Sequence, residues 1–182
     1  MGDGIFLRGI VEFSNFCVKD CAYCGLNRKN KTLARYRMSA EEVLGAIGVI
    51  VSQGLSTVVL QSGEDDGIKA AWLEDLIRRI KARFDIAITL SVGERPEKEY
   101  GVWKKAGADR YLLKIETTDP GLYASLHADM SLEHRLACLE ALKRLGYQTG
   151  SGSIIGLKGQ TLAHIAADIL YFQSQDFDMI GI

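Results

Sequence analysis

The sequence predicts an α/β fold in the form of a partial TIM-type (βα)6 parallel barrel. Six short β-rich segments alternate with longer segments of helical periodicity, which is the pattern of right-handed βαβ units and a parallel sheet. The 182 residues contain no low-complexity segment or linker, and this length suits one domain with a sizeable core. An open doubly wound sheet is the alternative architecture.

Local signals place the elements in order. Ser39 and Glu42 form a Ser-x-x-Glu capping box that marks the start of the first helix. Pro96 opens a later helix that ends near Gly107, and Ser131 begins a leucine-rich helix. The two other helices are expected at residues 71–84 and 161–174. The strands are expected at residues 4–13, 57–60, 86–90, 110–115, 153–157 and 177–182.

The predicted sheet reaches both ends of the chain. The first predicted strand begins near the first residue, and the sixth ends on the last. We therefore expect residues 1–182 to form a single domain that is a fragment of a longer protein, without its N- and C-terminal parts. On this expectation the barrel is truncated at strand six, and the chamber around any site is incomplete.

The composition argues against two classes of partner. Apolar residues make up 47% of the chain, charged residues 25%, and the net charge is −1, as in an ordinary soluble globular protein. This charge gives no support for nucleic-acid binding. No segment approaches the roughly 20 apolar residues of a membrane helix, and the N-terminus has no signal-peptide pattern. The expectation is a cytoplasmic protein without nucleic-acid or membrane partners.

Three of the four cysteines lie together, directly after the first predicted strand. Cys17, Cys21 and Cys24 have the spacing of metal ligands on one loop rather than that of a disulfide framework. Three thiolates can hold three irons of a 4Fe-4S cluster and leave the fourth iron open. Structural zinc is the competing interpretation, but it requires a fourth ligand. The remaining Cys138 lies among leucines of a predicted helix and is expected to be a buried, inert thiol.

Polar residues also follow the later strands, at the edge where barrel enzymes build their sites. They are found at residues 61–64, 91–94 and 152–156, with Glu116 at the end of strand four and Arg135 early in the helix that follows. Each has an ordinary explanation as a turn, a cap or a solvated side chain. Those explanations do not predict that all five groups follow the strands in order, so their combination favours a functional site.

The cysteine motif resembles the signature of the radical S-adenosylmethionine superfamily, including the aromatic Tyr23 before the last cysteine. The resemblance implies two cofactors, an oxygen-sensitive 4Fe-4S cluster on the three cysteines and S-adenosylmethionine (SAM) on the open iron. The reduced cluster would pass an electron into the sulfonium of SAM, and methionine and a 5′-deoxyadenosyl radical would be released.

The resemblance also assigns the polar strand ends to SAM. Residues 61–64 (Gln-Ser-Gly-Glu) are similar to the family's Gly-Gly-Glu segment, with serine in place of the first glycine. Glu116 would hold the ribose hydroxyls and Arg135 the carboxylate, and Ile154 lies in a segment similar to the adenine-binding Gly-x-Ile-x-Gly. The cofactor-binding residues are therefore expected to be Tyr23, Gln61, Ser62, Gly63, Glu64, Ser91, Glu116, Arg135 and Ile154.

Longer segments resemble the HydE-type FeFe-hydrogenase maturases, a group similar to biotin synthase and methylornithine synthase. The matching segments are residues 12–17, 23–26, 35–38, 60–65, 106–113, 156–161 and 176–182. Lys158 stands where this loop commonly has proline. The resemblance implies a role in building the diiron subcluster of the hydrogenase active site. Its implied partners are a small-molecule or organometallic substrate, an electron donor such as ferredoxin or flavodoxin, and other maturases.

Several alternatives remain open at this point. The same radical chemistry could serve methylornithine or biotin synthesis, and a cluster that never meets SAM would make the chain an electron carrier or scaffold. The basic stretch 28–37 is expected to be a solvated loop. His127, His134 and His164 are dispersed and are expected on helix surfaces, so they give no support for a histidine-based site.

Overall fold

The strands of the protein follow one another in space in the order of the sequence. The computed structural model describes residues 4–182 and contains one six-stranded sheet, in which every neighbouring pair is parallel. A doubly wound sheet would reverse its strand order at a switch point, so this alternative is wrong. The strands are β1 (Gly9–Ser14), β2 (Thr57–Ser62), β3 (Ala87–Ser91), β4 (Arg110–Leu112), β5 (Gln148–Gly152) and β6 (Met179–Gly181).

Side-chain contacts across the concave face show that the sheet curls into a partial barrel. Arg110 of β4 reaches past β3 and donates a hydrogen bond from Nη1 to Oγ1 of Thr57 on β2, at 3.3 Å. Arg8, just before β1, donates from Nη1 to Sδ of Met179 on β6, at 2.9 Å. In a flat sheet the first and last strands could not approach each other in this way. The predicted barrel class is therefore confirmed.

Six helices accompany the strands and bury the main hydrophobic core between themselves and the sheet. Leu60, Ile88 and Tyr111, from three successive strands, are fully buried against helical residues such as Leu76 and Trp103. Burial of this apolar surface is the main stabilising contribution to the fold. The helices are α1 (Ala40–Ser52), α2 (Ala70–Arg83), α3 (Glu97–Ala106), α4 (Pro120–Leu126), α5 (Leu132–Arg144) and α6 (Leu162–Gln175).

The caps explain where the helices begin and end. The predicted capping box of Ser39 and Glu42 is present at α1. Pro96 directly precedes α3, and Gly107 ends that helix with a φ of 118°, which glycine adopts without strain. Sequence reasoning missed α4. It is a single short helix with Asp119 as its cap and Pro120 in its first turn.

The prediction for the fifth strand was wrong. The sequence predicts a strand at residues 153–157, whereas β5 is the preceding Gln-Thr-Gly-Ser-Gly segment. Its small residues are required by close packing, because a Cβ on Gly152 would come within 1.9 Å of the carbonyl oxygen of Gly181 on β6. Three other strands are shorter than predicted: β1 begins at Gly9, β4 ends at Leu112, and β6 spans only Met179–Gly181.

In residues 4–182, no helix is both long enough and apolar enough to cross a membrane. The expected single domain 1–182 includes three residues that lie outside the described range, and its extent stays a prediction.

Candidate functional site

A cavity of about 290 Å³ opens at the carboxyl ends of the first four strands. Eleven of the twelve predicted site residues line it: Cys17, Cys21, Tyr23, Cys24, Gln61, Ser62, Gly63, Glu64, Ser91, Glu116 and Arg135. Ile154 does not line this cavity, but its backbone N–H donates to the carbonyl oxygen of Glu116 at 2.9 Å. The fold thus brings the clustered cysteines and the polar strand ends together. The roles assigned to these residues stay predictions.

The loop that carries the cysteines is anchored on two sides by backbone hydrogen bonds. Val18 N–H donates to the carbonyl oxygen of Glu64 after β2 (2.9 Å), and Ala22 N–H donates to that of Leu126 at the end of α4 (2.8 Å). Gly63 permits the first contact, because a Cβ there would meet the carbonyl oxygen of Phe16 at 2.3 Å. The cysteine loop is therefore fixed relative to the strand ends.

The basic stretch 28–37 is largely exposed, as expected of a solvated loop, but two of its arginines bind other parts of the chain. Arg35 donates hydrogen bonds to the carbonyl oxygens of Asn15, Leu26 (2.9 Å) and Asn27 (2.8 Å), which gathers the cysteine loop around one guanidinium. Arg37 binds both carboxylate oxygens of the buried Asp65, at 2.6 and 2.7 Å. A planar guanidinium suits such multiple contacts, and the sequence did not reveal the carbonyl partners.

The three thiols do not converge on a single metal-ion position. In the described range, no three His, Cys, Asp or Glu side chains are grouped so that they could hold a single metal ion. In a 4Fe-4S cluster each cysteine binds a different iron, so its sulfurs need not converge on one point. Burial is the main cause that raises the pKa of Cys17, and it raises that of Cys21 to about 11. Both thiols would need a nearby positive charge to become thiolates at neutral pH.

A buried ionic network forms the side of the cavity next to β3. Arg135 is only 7% exposed and binds Glu94 through Nε at 2.7 Å. Its Nη1 donates to the carbonyl oxygen of Lys114 at 3.0 Å. Lys19 lies between two carboxylates, 3.5 Å from Glu64 and 3.8 Å from Glu94. This network compensates charges that would be costly to bury alone.

Lys19 was missing from the predicted site. Glu94 was counted among the polar strand ends but was not assigned to the cofactor, although it follows β3 as Glu64 follows β2. Gly93 allows the two segments to pack closely, because its φ is 78° and a Cβ would lie 1.9 Å from Cγ of Glu64. Burial raises the pKa of Glu64, while Lys19 and Arg135 act in the opposite direction.

Glu116 presents a carboxylate to the cavity from a strained backbone position. Its φ is 66°, in the left-handed region that non-glycine residues rarely adopt. Tyr23 donates its hydroxyl to Oε1 of Glu116 at 3.2 Å, whereas Oε2 is buried without a hydrogen-bond donor. Lys114 Nζ stands 3.7 Å from that oxygen, and burial raises the pKa of Glu116. An oxygen in this state can accept a hydrogen bond from a hydroxyl group of a ligand.

His127 is not on a helix surface, contrary to the expectation. It follows α4, is 2% exposed, and places Nδ1 3.3 Å from Sγ of Cys21. Burial, followed by the charge of Arg135, lowers the pKa of His127 to about 4. No sequence signal marked this contact, because α4 itself was not predicted. His134 is largely exposed, and His164 caps α6.

Comparison with known families identifies the superfamily. Residues 11–172 match the Radical SAM superfamily. The chain belongs to this superfamily. The match covers β1 to most of α6, and it therefore includes the cysteine loop and the cavity described above.

The chain is also similar to individual members of the superfamily. The chain is 50% identical over 182 residues to the [FeFe] hydrogenase maturase subunit HydE of Thermotoga maritima, which covers 100% of the chain and 52% of that protein. It is 30% identical to a biotin synthase of Magnetococcus marinus, over 96% of the chain and 56% of the relative. A crystal structure of methylornithine synthase (PylB) superposes with a TM-score of 0.91 at 25% identity, over 97% of the chain and 52% of that structure. The chain thus spans about half the length of these relatives.

The residues of the cavity fit both cofactors of a radical SAM protein. The three thiols supply sulfur ligands, and no fourth cysteine lines the cavity as described. The unpartnered Oε2 of Glu116 offers a buried acceptor to a ribose hydroxyl. The cavity of about 290 Å³ opens beside both groups and provides the space. The sulfur ligands, the buried carboxylate oxygen and the available space are therefore all consistent with the two cofactors.

Proposed function

We propose that this chain is the core of a radical SAM enzyme of the FeFe-hydrogenase maturase type. One observation carries the proposal: the cysteine loop, Glu64, Glu116 and Arg135 come from four separate parts of the chain and line one cavity. The 50% identity to a HydE subunit supports the maturase type over the other radical SAM groups, since the biotin synthase and the methylornithine synthase are much less similar.

In this proposal Cys17, Cys21 and Cys24 would hold a 4Fe-4S cluster, and the cavity would hold SAM. When bound, the cluster supplies an electron to the sulfonium of SAM, which yields methionine and a 5′-deoxyadenosyl radical. Glu116 would accept hydrogen bonds from the ribose through its free oxygen. Arg135, already held by Glu94, would direct its remaining N–H groups toward a carboxylate.

The partners of the reaction belong to the same proposal. A small-molecule or organometallic substrate would enter from the concave side of the sheet, and a ferredoxin or flavodoxin would supply the electron. Other hydrogenase maturases would act before or after this step. Their identity rests on the HydE likeness alone.

The test is the formation of 5′-deoxyadenosine by the anaerobically reconstituted full chain with SAM and dithionite. We expect one 4Fe-4S cluster per chain and measurable 5′-deoxyadenosine, and we expect Cys24→Ala to abolish both. Cys138→Ala is the matched control, because Cys138 is buried in α5 and does not line the cavity. A chain that binds the cluster but leaves SAM intact would contradict the proposal and favour an electron carrier.

Methylornithine synthesis is the second candidate, favoured by the TM-score of 0.91 to PylB. The two candidates share the cleavage of SAM and differ in what the radical attacks. Product analysis separates them: formation of 3-methylornithine from an amino-acid precursor would favour the second candidate, whereas 5′-deoxyadenosine without this product would favour the first.

A further inference from the structure

His127 contacts the cysteine loop from outside the cavity. Its backbone forms an isolated antiparallel bridge with Cys21, and the neighbouring Leu126 accepts a hydrogen bond from Ala22. These backbone hydrogen bonds hold the end of α4 beside Cys21 independently of the His127 side chain. The short distance between Nδ1 of His127 and Sγ of Cys21, 3.3 Å, is therefore imposed by the fold.

Two tyrosines hold the imidazole ring in one orientation. The ring of Tyr123 lies 4.3 Å away between centroids, and the ring of Tyr23 packs against it edge-on at 5.5 Å. The other ring nitrogen, Nε2, is buried without a partner. In this orientation the imidazole forms its side-chain hydrogen bond with Cys21, through Nδ1.

The chemistry of an iron-bound thiolate decides the direction of that bond. Such a sulfur has no proton, so only the imidazole can donate, from Nδ1–H. The thioether of Met130, 4.0 Å from Sγ of Cys21, has no proton to give. An N–H···S hydrogen bond withdraws electron density from the thiolate and favours the reduced cluster.

We propose that His127 is a positioning residue that donates a hydrogen bond to Cys21 and raises the reduction potential of the cluster held by that cysteine. The inference rests on the proposed function, because it requires a 4Fe-4S cluster at the three cysteines. It concerns a residue outside the SAM cavity and adds a determinant of how readily the cluster accepts its electron.

The first test compares cluster midpoint potentials in the full chain, reconstituted anaerobically and titrated under EPR without SAM. His127→Phe keeps an aromatic ring between the tyrosines but has no N–H, whereas His127→Asn keeps an amide N–H near the position of Nδ1. We expect the equilibrium constant for reduction to fall about tenfold in His127→Phe, which corresponds to ~59 mV for one electron. We expect His127→Asn to stay close to the unaltered protein. Equal potentials in all three proteins would overturn the inference.

A second measurement does not depend on a change in potential. In protein labelled with 15N-histidine, pulsed EPR of the reduced cluster should detect a nitrogen coupling from His127, with His127→Asn protein as the blank. Absence of this coupling in a protein that holds the cluster would overturn the inference and leave the proposed function intact. An unaltered chain that binds no 4Fe-4S cluster would instead overturn the proposed function, and this inference with it.

Discussion

On the side of the site next to β3, the buried guanidinium of Arg135 requires negatively charged neighbours. A guanidinium that is 7% exposed needs a close anionic partner, and Glu94 supplies it at 2.7 Å. Glu64 is farther away, at 3.8 Å, and is shared with Lys19. Removing one member of such a group leaves the others buried without compensation, which costs more than the pair contributes when intact.

Glu94→Ala should therefore destabilise the protein markedly. We expect the free energy of unfolding to fall by about 3 kcal/mol, since a buried charge loses its closest partner. Glu74→Ala is the matched control, because Glu74 pairs with Arg78 on the exposed side of α2 and should change stability by no more than about 0.5 kcal/mol. Urea unfolding of the three proteins measures the difference. Equal losses in both variants would contradict the importance of the buried network.

Substitution of Gly93 tests whether the close packing of its backbone against the Glu64 side chain is essential. Gly93 and Gly146 have the same φ of 78°, but a Cβ on Gly93 would overlap Glu64 whereas a Cβ on Gly146 meets nothing within 4 Å. We expect Gly146→Ala to cost about 1 kcal/mol from backbone strain alone. Gly93→Ala should cost more and should also weaken SAM binding, because Glu64 must move. Chemical denaturation and equilibrium dialysis with labelled SAM provide the two measurements. An equal cost with unchanged SAM affinity would show that Glu64 adjusts freely.

Among the elements, the cysteine loop depends on the contacts that anchor its two ends. Asp65 accepts hydrogen bonds from Ser14 at the end of β1 and from Arg37 at the far end of the loop. Burial alone would raise the pKa of Asp65, but the hydrogen bonds from Arg37, Ser14 and the Gly67 N–H outweigh it and lower the pKa. The ionised carboxylate is therefore part of the folded structure.

This lowered pKa predicts a specific response to acid. A carboxyl whose pKa is lower in the folded state stabilises the protein above its unfolded pKa of about 4. That contribution is lost as the pH falls from about 4 through the folded pKa. We expect the apo chain to lose stability in this range more steeply than Asp65→Asn, when urea midpoints are compared from pH 5 to pH 3. Parallel pH profiles in the two proteins would contradict the role of Asp65.

The elements also show how far sequence reasoning reaches. The helices with clear caps, such as α1 at Ser39, and the strand ends that carry the site were predicted because those signals are local. The fifth strand was misplaced, because its glycines reflect contacts with β6 that no local pattern encodes. His127 was misassigned for the same reason. Its burial depends on Cys21, which lies 106 residues earlier in the chain.

At the scale of the whole molecule, the curvature of the sheet creates the site. Sequential parallel strands place their carboxyl ends along one rim, and the curl brings the ends of β1 to β4 around a common cavity. Residues from the cysteine loop, from the segments after β2 to β4 and from α5 therefore act as one surface. Folding and cofactor binding should be thermodynamically linked, because this surface exists only in the folded chain.

SAM should consequently raise the thermal stability of the cluster-loaded protein. At a concentration 100 times its Kd, a ligand specific for the native state contributes about 2.7 kcal/mol. For a chain of this size that corresponds to a rise in Tm of roughly 5–10 °C. Calorimetry under anaerobic conditions measures the rise, and a chain with Cys17, Cys21 and Cys24 replaced by alanine is the control. We expect little or no rise in the control, because SAM would lack the open iron as a ligand. An equal rise in both proteins would mean that the cavity binds SAM without the cluster, and that the cysteines and the polar strand ends are two independent sites.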